Sequence, residues 1–120
     1  MGQSYRDLIA WHKAMDFVMD VYAATKLFPR DELYGLASQL RRTAVLIPTN
    51  IADGQARYSP SEFHFFLSRS RGSLVEVETQ LILAQKLEYV TQELGKKLLD
   101  NAAELGRILN GLIGSIKPAA

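Results

Sequence analysis

Cysteine is absent from the 120 residues, and histidine occurs only twice. Without a thiol the chain can form no disulfide framework and no thiolate zinc site, which fits a reducing compartment. His12 and His64 both lack a glutamate three residues earlier, so neither matches the Glu-x-x-His pair used by dinuclear metal centres in helical bundles. The sequence therefore predicts no metal site and no other cofactor.

Long apolar runs are also missing. No segment approaches the roughly 20 consecutive apolar residues of a membrane span. The first residues lack the apolar stretch that a signal peptide needs. We therefore expect a cytoplasmic protein that makes no contact with a membrane.

Motifs for nucleophilic catalysis are absent too. The sequence has no Gly-x-Ser-x-Gly elbow and no phosphate-binding glycine loop. Ser68, Ser70 and Ser73 share one segment, but no histidine stands at a spacing suited to activating them. The sequence therefore predicts that the protein is not an enzyme.

Apolar residues recur at intervals of three and four along most of the chain, which is the pattern of amphipathic helices. No stretch alternates like a β-strand. The pattern predicts one all-α domain over residues 1–120, with helices at about 6–27, 32–56, 60–88 and 92–114. Because the links are short, we expect an antiparallel up-down-up-down four-helix bundle.

Two helix starts carry clear signals. Ser59 is a suitable N-cap, Pro60 suits the first helical position, and Glu62 stands where a capping box requires it. Thr91 is a suitable cap for the fourth helix. These residues predict sharp starts for the third and fourth helices.

Pro48 interrupts the second helical segment, but the apolar pattern continues through Ile47 and Ile51. Ending the helix there would leave a structureless loop of about a dozen residues, which is uncommon in a compact domain. We therefore predict a continuous helix that is kinked at Pro48. Nearby polar side chains are expected to bond the freed carbonyl groups: Thr43, Thr49 and Asn50.

Two features predict self-association. The first helix carries two adjacent apolar stripes, one of which contains Phe17 and Phe28. The fourth helix has small residues at four-residue spacing, which favours the close approach of a neighbour: Ala102, Gly106, Asn110 and Gly114. We expect an oligomer whose interface includes Phe17, Phe28, Gly106 and Asn110.

Positive charge collects in the middle of the chain. Residues 41–71 contain five basic and two acidic side chains, which gives +3, whereas residues 1–40 and 72–120 each sum to −1. Within this segment Arg57, Arg69 and Arg71 alternate with aromatic residues such as Tyr58, a composition suited to phosphate contact and base stacking. The excess of positive charge by itself also fits an ordinary solvated helical face. For the arginine and aromatic residues the sequence leaves three interpretations open: binding of RNA or DNA, binding of a protein partner, or a scaffold whose ligand the sequence does not identify.

Four charged residues on the second and third helices form a further candidate set. Glu76 and Glu78 point in different directions on a helix, which argues against paired carboxylates for acid–base catalysis. We expect one of them to form a structural ion pair with Arg41 or Arg42 where two helices meet.

Three ordered motifs and an N-terminal segment together resemble a known bacterial family. They are YRDL at 5–8 with Trp11 and Ala14, QLRRTA at 39–44, IPTNIADG at 47–54 and GSLVEVETQL at 72–81. This set is similar to the 23S rRNA intervening-sequence protein family across nearly the whole chain. Leu46 and Asp53 depart from the family pattern, which often has serine and glutamate there.

The resemblance implies a four-helix bundle that assembles into a ring-like homo-oligomer, with five subunits favoured, and no enzymatic activity. It also implies kinship with the accessory variability protein of diversity-generating retroelements, which works with a reverse transcriptase and nucleic acid. Members that bind nucleic acid are expected to be more basic than the net charge of +1 found here. The fold therefore transfers more directly than the biochemical role.

Overall fold

The computed structural model describes residues 4–116, in which helices are the only regular secondary structure. Four α-helices follow one another: α1 (Ile9–Thr25), α2 (Leu36–Gln55), α3 (Pro60–Lys86) and α4 (Gln92–Ser115). The predicted all-α class is confirmed. The predicted helix ends agree closely for α3 and α4, whereas α1 and α2 both begin later than expected.

The two late starts have a local cause. Tyr5–Asp7 and Arg30–Glu32 form short 3₁₀ turns instead of the first turn of α1 and α2. Ser4 caps the first turn, because its hydroxyl accepts from the Arg6 amide and the Asp7 carboxylate accepts from the Ser4 amide. The predicted starts at residues 6 and 32 were therefore wrong by about one helical turn.

The predicted caps of α3 and α4 are present. The Ser59 hydroxyl accepts from the Glu62 amide at 3.3 Å, and the Thr91 hydroxyl accepts from the Leu94 amide at 3.0 Å. Pro60 occupies the first turn of α3. The Glu62 carboxylate is 3.9 Å from the Arg57 guanidinium.

Each helix packs against its neighbours in sequence, and α1 also packs against α4. Contacts between α2 and α3 join Ile47 to Ser70 and Gly54 to Phe63, so residue numbers rise along one helix as they fall along the other. The same holds for α3 and α4, where Arg71 contacts Asn110 and Gln85 contacts Gly95. These contacts describe antiparallel neighbours in a four-helix bundle.

All four helices contribute to one hydrophobic core. Its largest fully buried side chains come from the predicted apolar stripes: Val21, Leu40, Ile47, Ile51, Leu67, Leu74, Val77, Leu81, Leu98, Leu105 and Leu109. Burying a leucine or isoleucine side chain contributes about 1.5–3 kcal/mol. The side chains that fill the core therefore belong to the apolar stripes of the four helices.

Helix α2 runs through Pro48 without ending, as predicted. The alternative of an extended loop at Thr49–Asp53 is excluded, because these residues are helical. The three polar side chains bond carbonyls four residues earlier: Thr43 to Gln39, Thr49 to Val45 and Asn50 to Leu46. None of them bonds the Ala44 carbonyl, from which proline removes the donor, and the angle of the kink stays a prediction.

Gly54 permits close packing between α2 and α3 just before the turn. A Cβ atom at this position would lie 2.6 Å from Cβ of Phe66 and 3.2 Å from Cδ1 of Phe63. Both distances are shorter than ordinary carbon–carbon contacts, which begin at about 3.5 Å. Glycine is therefore required where these two helices converge.

Candidate interaction surfaces

A shallow groove runs along the outer side of α1 and α2. It consists of two adjoining hollows that share Val45. The groove is lined mainly by apolar and aromatic residues: Trp11, Met15, Val18, Tyr22, Leu33, Tyr34, Val45, Leu46 and Pro48. Tyr34 is 93% exposed, so this lining includes a large aromatic side chain that the chain itself leaves uncovered. We call this surface the α1–α2 groove.

Arg41 and Arg42 line one half of the α1–α2 groove. Arg41 Nε donates to Thr25 Oγ1 at 2.7 Å, and its guanidinium lies 4.9 Å from the centre of the Tyr22 ring. Arg42 Nη2 is 3.5 Å from Ser38 Oγ. These contacts fix Arg41 in place and leave Arg42 exposed, so the groove carries positive charge beside apolar surface.

Glu76 and Glu78 lie on α3, Glu76 exposed and Glu78 half-buried. Among residues 4–116, no ion pair joins either glutamate to Arg41 or Arg42. The expected structural ion pair is therefore not formed within one chain.

A second uncovered surface lies along α3. Five exposed residues follow one another at alternating intervals of four and three: Ser68, Gly72, Val75, Thr79 and Ile82. Val75 is 55% exposed and Ile82 43% exposed. This spacing places them in one line along the helix, as in the contact seam of a coiled coil. We call this line the α3 ridge.

Phe17 and Phe28 are not on the surface, contrary to the predicted oligomer interface. Phe17 is 2% exposed and Phe28 8% exposed, and both belong to the core. The stripe that contains them faces inward because α2 and α4 pack on α1. The other stripe of α1 supplies Met15 and Tyr22 to the α1–α2 groove.

The small residues of α4 serve mainly the bundle itself. Ala102 is fully buried, and a Cβ atom at Gly106 would lie 3.6 Å from Cδ2 of Leu74 on α3. The Asn110 side-chain carbonyl accepts from Arg71 Nη1 at 2.9 Å. Gly106 and Asn110 therefore contact α3 within the same chain, while Gly114 has open space around it.

Arg57 and Tyr58 lie in the turn between α2 and α3. Arg57 pairs with Asp53 at 3.2 Å and with Glu62 at 3.9 Å, and its guanidinium lies 4.8 Å from the centre of the Phe66 ring. Tyr58 is exposed and has a φ of 54°, which places it in the left-handed region. Two carboxylates thus compensate the charge of Arg57.

Arg69 and Arg71 lie further along α3. Arg69 is nine positions after the first residue of the helix, or about 14 Å at 1.5 Å per residue. The Arg69 guanidinium lies 5.7 Å from the centre of the exposed Phe65 ring, whereas Arg71 faces Asn110 on α4. The three arginines therefore do not all gather at the turn between α2 and α3. Arg57 and Arg69 are connected through the contact of Phe66 with Phe65, whose ring centres are 5.3 Å apart, whereas Arg71 faces α4.

One polar pair was missed by the sequence reasoning. Tyr89 donates to the Glu32 carboxylate at 2.7 Å, and the Leu36 amide donates to the same carboxylate at 3.1 Å. The Tyr89 hydrogen bond, and then the Leu36 amide, lower the pKa of Glu32. The same hydrogen bond raises the pKa of Tyr89. No local pattern links position 32 to position 89, so only the fold reveals this contact.

The described residues offer no cluster of three or more His, Asp and Glu side chains suited to holding a metal ion. His12 Nε2 lies 2.6 Å from the Arg6 carbonyl. No helix within residues 4–116 is long and apolar enough to cross a membrane.

The bundle, the α1–α2 groove and the α3 ridge together define a small all-α protein that exposes apolar side chains in the groove and on the ridge. Residues 6–111 match the family model described as 23S rRNA-intervening sequence protein, and the chain belongs to this family. The resemblance inferred from the motifs is confirmed.

The fold is also found in a solved structure. The chain is similar to a protein of unknown function from the S23 ribosomal protein family of Bacteroides thetaiotaomicron VPI-5482, with a TM-score of 0.82 and 20% sequence identity. The similarity covers 89% of this chain and 96% of the other. At this identity the likeness establishes the fold. Among curated proteins the chain has no match.

Proposed function

We propose that this protein is a non-enzymatic scaffold that assembles with copies of itself. The observation that carries the proposal is the set of apolar side chains that one chain leaves exposed in the α1–α2 groove and at Val75 and Ile82 of the α3 ridge. Large exposed apolar patches on small proteins mark contact sites, because covering them removes apolar area from water.

The structural roles of the serines support a non-enzymatic function. Ser70 Oγ donates to the Ile47 carbonyl at 2.9 Å, and Ser68 Oγ donates to the His64 carbonyl at 3.0 Å. Ser73 is buried. Each of these hydroxyls is thus bonded to backbone or enclosed by the bundle, which suits packing rather than nucleophilic attack.

Sedimentation equilibrium of the full chain tests the assembly. We expect a mass several times that of one subunit at micromolar concentration, and the family resemblance favours five subunits. A ring would repeat every surface feature and turn weak single contacts into a multivalent surface. A single-subunit mass of 13.4 kDa across the micromolar range would refute the proposal.

Nucleic-acid binding is the second candidate function, supported by the exposed stack of Arg69 on Phe65. Arginine beside an exposed aromatic ring can contact phosphate while the ring stacks on a base. Because phosphate contacts dominate, binding should tolerate sequence changes and weaken with salt, with a slope of roughly 0.7–0.9 per contact. Repetition around an oligomer would offset the low charge of each subunit.

A salt titration with single- and double-stranded RNA and DNA tests this candidate. Arg69→Gln combined with Arg71→Gln should flatten the salt slope. Arg57→Gln is the matched control and should change it little, because Asp53 and Glu62 already compensate that charge. If the protein retains none of these nucleic acids at about 50 mM salt, where phosphate-driven binding is strong, nucleic-acid binding is excluded.

A protein adaptor without nucleic-acid binding is the alternative. It predicts a partner complex that tolerates salt and survives nuclease treatment, because apolar contact is screened little by ions. A complex that disappears after nuclease treatment would favour nucleic acid instead.

A further inference from the structure

The α1–α2 groove and the α3 ridge are complementary in charge as well as in polarity. Arg41 and Arg42 line the groove. Glu76 and Glu78 flank the ridge, because 3.6 residues per turn place them on opposite sides of the line through Val75 and Thr79. Arg69 and Arg71 flank the other half of the ridge, beside Ser68 and Gly72, and Asp53 lines the other half of the groove. The acidic half of the ridge therefore matches the half of the groove that contains Arg41 and Arg42.

We infer that the α3 ridge of one copy docks in the α1–α2 groove of another copy, where Arg41 and Arg42 pair with Glu76 and Glu78. This inference rests on the self-assembly proposed above and names the two surfaces that meet.

The four charged groups have no ion-pair partner within residues 4–116. Thr25 and the Tyr22 ring hold Arg41 at the groove, and only its Nε is used in that hydrogen bond. The terminal nitrogens of Arg41 are the donors that suit a carboxylate from outside. A second copy supplies two carboxylates on one helix.

The shape of the ridge also suits a groove. Gly72 stands in the line of the ridge and has no atom within 4 Å of where its Cβ would be. It therefore presents bare backbone, over which a neighbouring helix can approach closely. The ridge residues on either side of Gly72 are Ser68 and Val75, whose side chains are small enough to enter a shallow groove.

The simplest alternative is that two α3 ridges meet. Such an interface would leave Arg41 and Arg42 of both copies without a carboxylate partner, because neither arginine has an ion pair within residues 4–116. Ridge-to-groove contact uses two different surfaces. Helix α3 packs against α2 and α4 and not against α1. The ridge on α3 therefore lies on a different part of the surface from the α1 side of the groove. Contact between two different surfaces, here the ridge of one copy and the groove of the next, is head-to-tail and builds rings or filaments.

Charge reversal in the full chain tests the inference. Arg42→Glu and Glu76→Arg, made separately, each place like charges in every contact. Each should weaken assembly on the order of a hundredfold in dissociation constant, as measured by sedimentation. The double variant Arg42→Glu/Glu76→Arg should recover most of the loss.

A mixing experiment distinguishes contact between copies from contact within one chain. In a mixture, the negative groove of the Arg42→Glu variant can bind the positive ridge of the Glu76→Arg variant. The ridge of the first variant and the groove of the second keep their wild-type charges, so these two surfaces can also bind each other. An equimolar mixture of the two single variants should therefore form larger species than either variant does separately. Equal behaviour of the mixture and its components would overturn the inference.

Controls reverse exposed charges on α4, as Lys97→Glu and Glu93→Arg, and should leave assembly unchanged. Circular dichroism and urea unfolding verify that every variant is folded. Arg42→Gln and Glu76→Gln, which remove charge without reversing it, give a second series in which smaller losses are expected. A wild-type monomer would refute both the proposed scaffold and this inference. A wild-type oligomer that tolerates every reversal would refute this inference and leave the scaffold standing.

Discussion

Ser70 on α3 donates a hydrogen bond of 2.9 Å to the carbonyl of Ile47, the residue that immediately precedes Pro48 on α2. Ser70 is fully buried, so this bond joins two helices inside the bundle. It lies beside the point where proline interrupts the backbone hydrogen bonds of α2. A hydrogen bond between α2 and α3 thus lies next to the place where α2 lacks one of its own backbone hydrogen bonds.

Ser70→Ala should destabilise the fold by about 1–3 kcal/mol, because it leaves a buried carbonyl without this donor. Urea unfolding measures the change. Ser68→Ala is the matched control, since the Ser68 hydroxyl is exposed and bonds a carbonyl of its own helix. Equal effects of the two substitutions would show that the bond between helices contributes nothing particular.

Pro48 should bend α2 by more than about 20°, as prolines inside helices commonly do. Pro48→Ala should straighten the helix, because alanine restores an amide donor for the Ala44 carbonyl. Crystal structures of both proteins would compare the axes of the segments before and after residue 48. Superimposable axes would contradict the predicted kink.

Gly54→Ala should destabilise the protein by about 1–3 kcal/mol, although alanine favours helix formation, because the added Cβ would press on Phe66 and Phe63. Gly111→Ala is the control, since nothing lies within 4 Å of its added atom. That substitution should stabilise by about 0.5–1 kcal/mol. Thermal unfolding of both variants checks the opposite signs, and a stabilising Gly54→Ala would refute the close-packing argument.

Glu88→Gly should stabilise the protein, because Glu88 has a φ of 62° just after α3. A non-glycine residue in the left-handed region costs roughly 1–2 kcal/mol, most of which glycine avoids. Lys97→Gly, in the middle of α4, should instead destabilise by about 1 kcal/mol. Chemical denaturation compares the two, and a destabilising Glu88→Gly would contradict the assignment of backbone strain.

The Glu32–Tyr89 hydrogen bond should make stability depend on pH. Because folding lowers the pKa of Glu32, its contribution is present above the ordinary value of 4.5 and is lost as pH falls through the lower folded pKa. Because folding raises the pKa of Tyr89, its contribution is present below the ordinary value of 10.0 and is lost as pH rises through the higher folded pKa.

Tyr89→Phe should reduce the dependence in the acid range, because Glu32 would keep only the Leu36 amide as a partner. It should abolish the part of the alkaline dependence that Tyr89 contributes. Unfolding free energies measured across both ranges test this, with Tyr34→Phe as the exposed control. An unchanged acid profile in Tyr89→Phe would show that the hydrogen bond does not control Glu32.

The sequence indicated the four helices because their signals are local. The apolar residues repeat with the period of an α-helix, and the caps at Ser59 and Thr91 bond amides only three residues away. The continuity of α2 through Pro48 was also predictable, since Ile47 and Ile51 keep the apolar stripe in register. The 3₁₀ turns before α1 and α2 were missed, because a 3₁₀ turn and the first turn of an α-helix have similar sequences.

The tertiary structure decided which surfaces remain available. The sequence showed two apolar stripes on α1 but could not tell which would face the core, so Phe17 and Phe28 were assigned to the wrong side. It also could not show that Asp53 and Glu62 compensate Arg57, or that Arg41 packs on Tyr22. Sequence alone determined the helices and their amphipathic character, because hydrogen bonds and side-chain periodicity act over a few residues. The groove, the ridge and the partners of each charge depend on how distant segments approach one another, and only the packed bundle determines that.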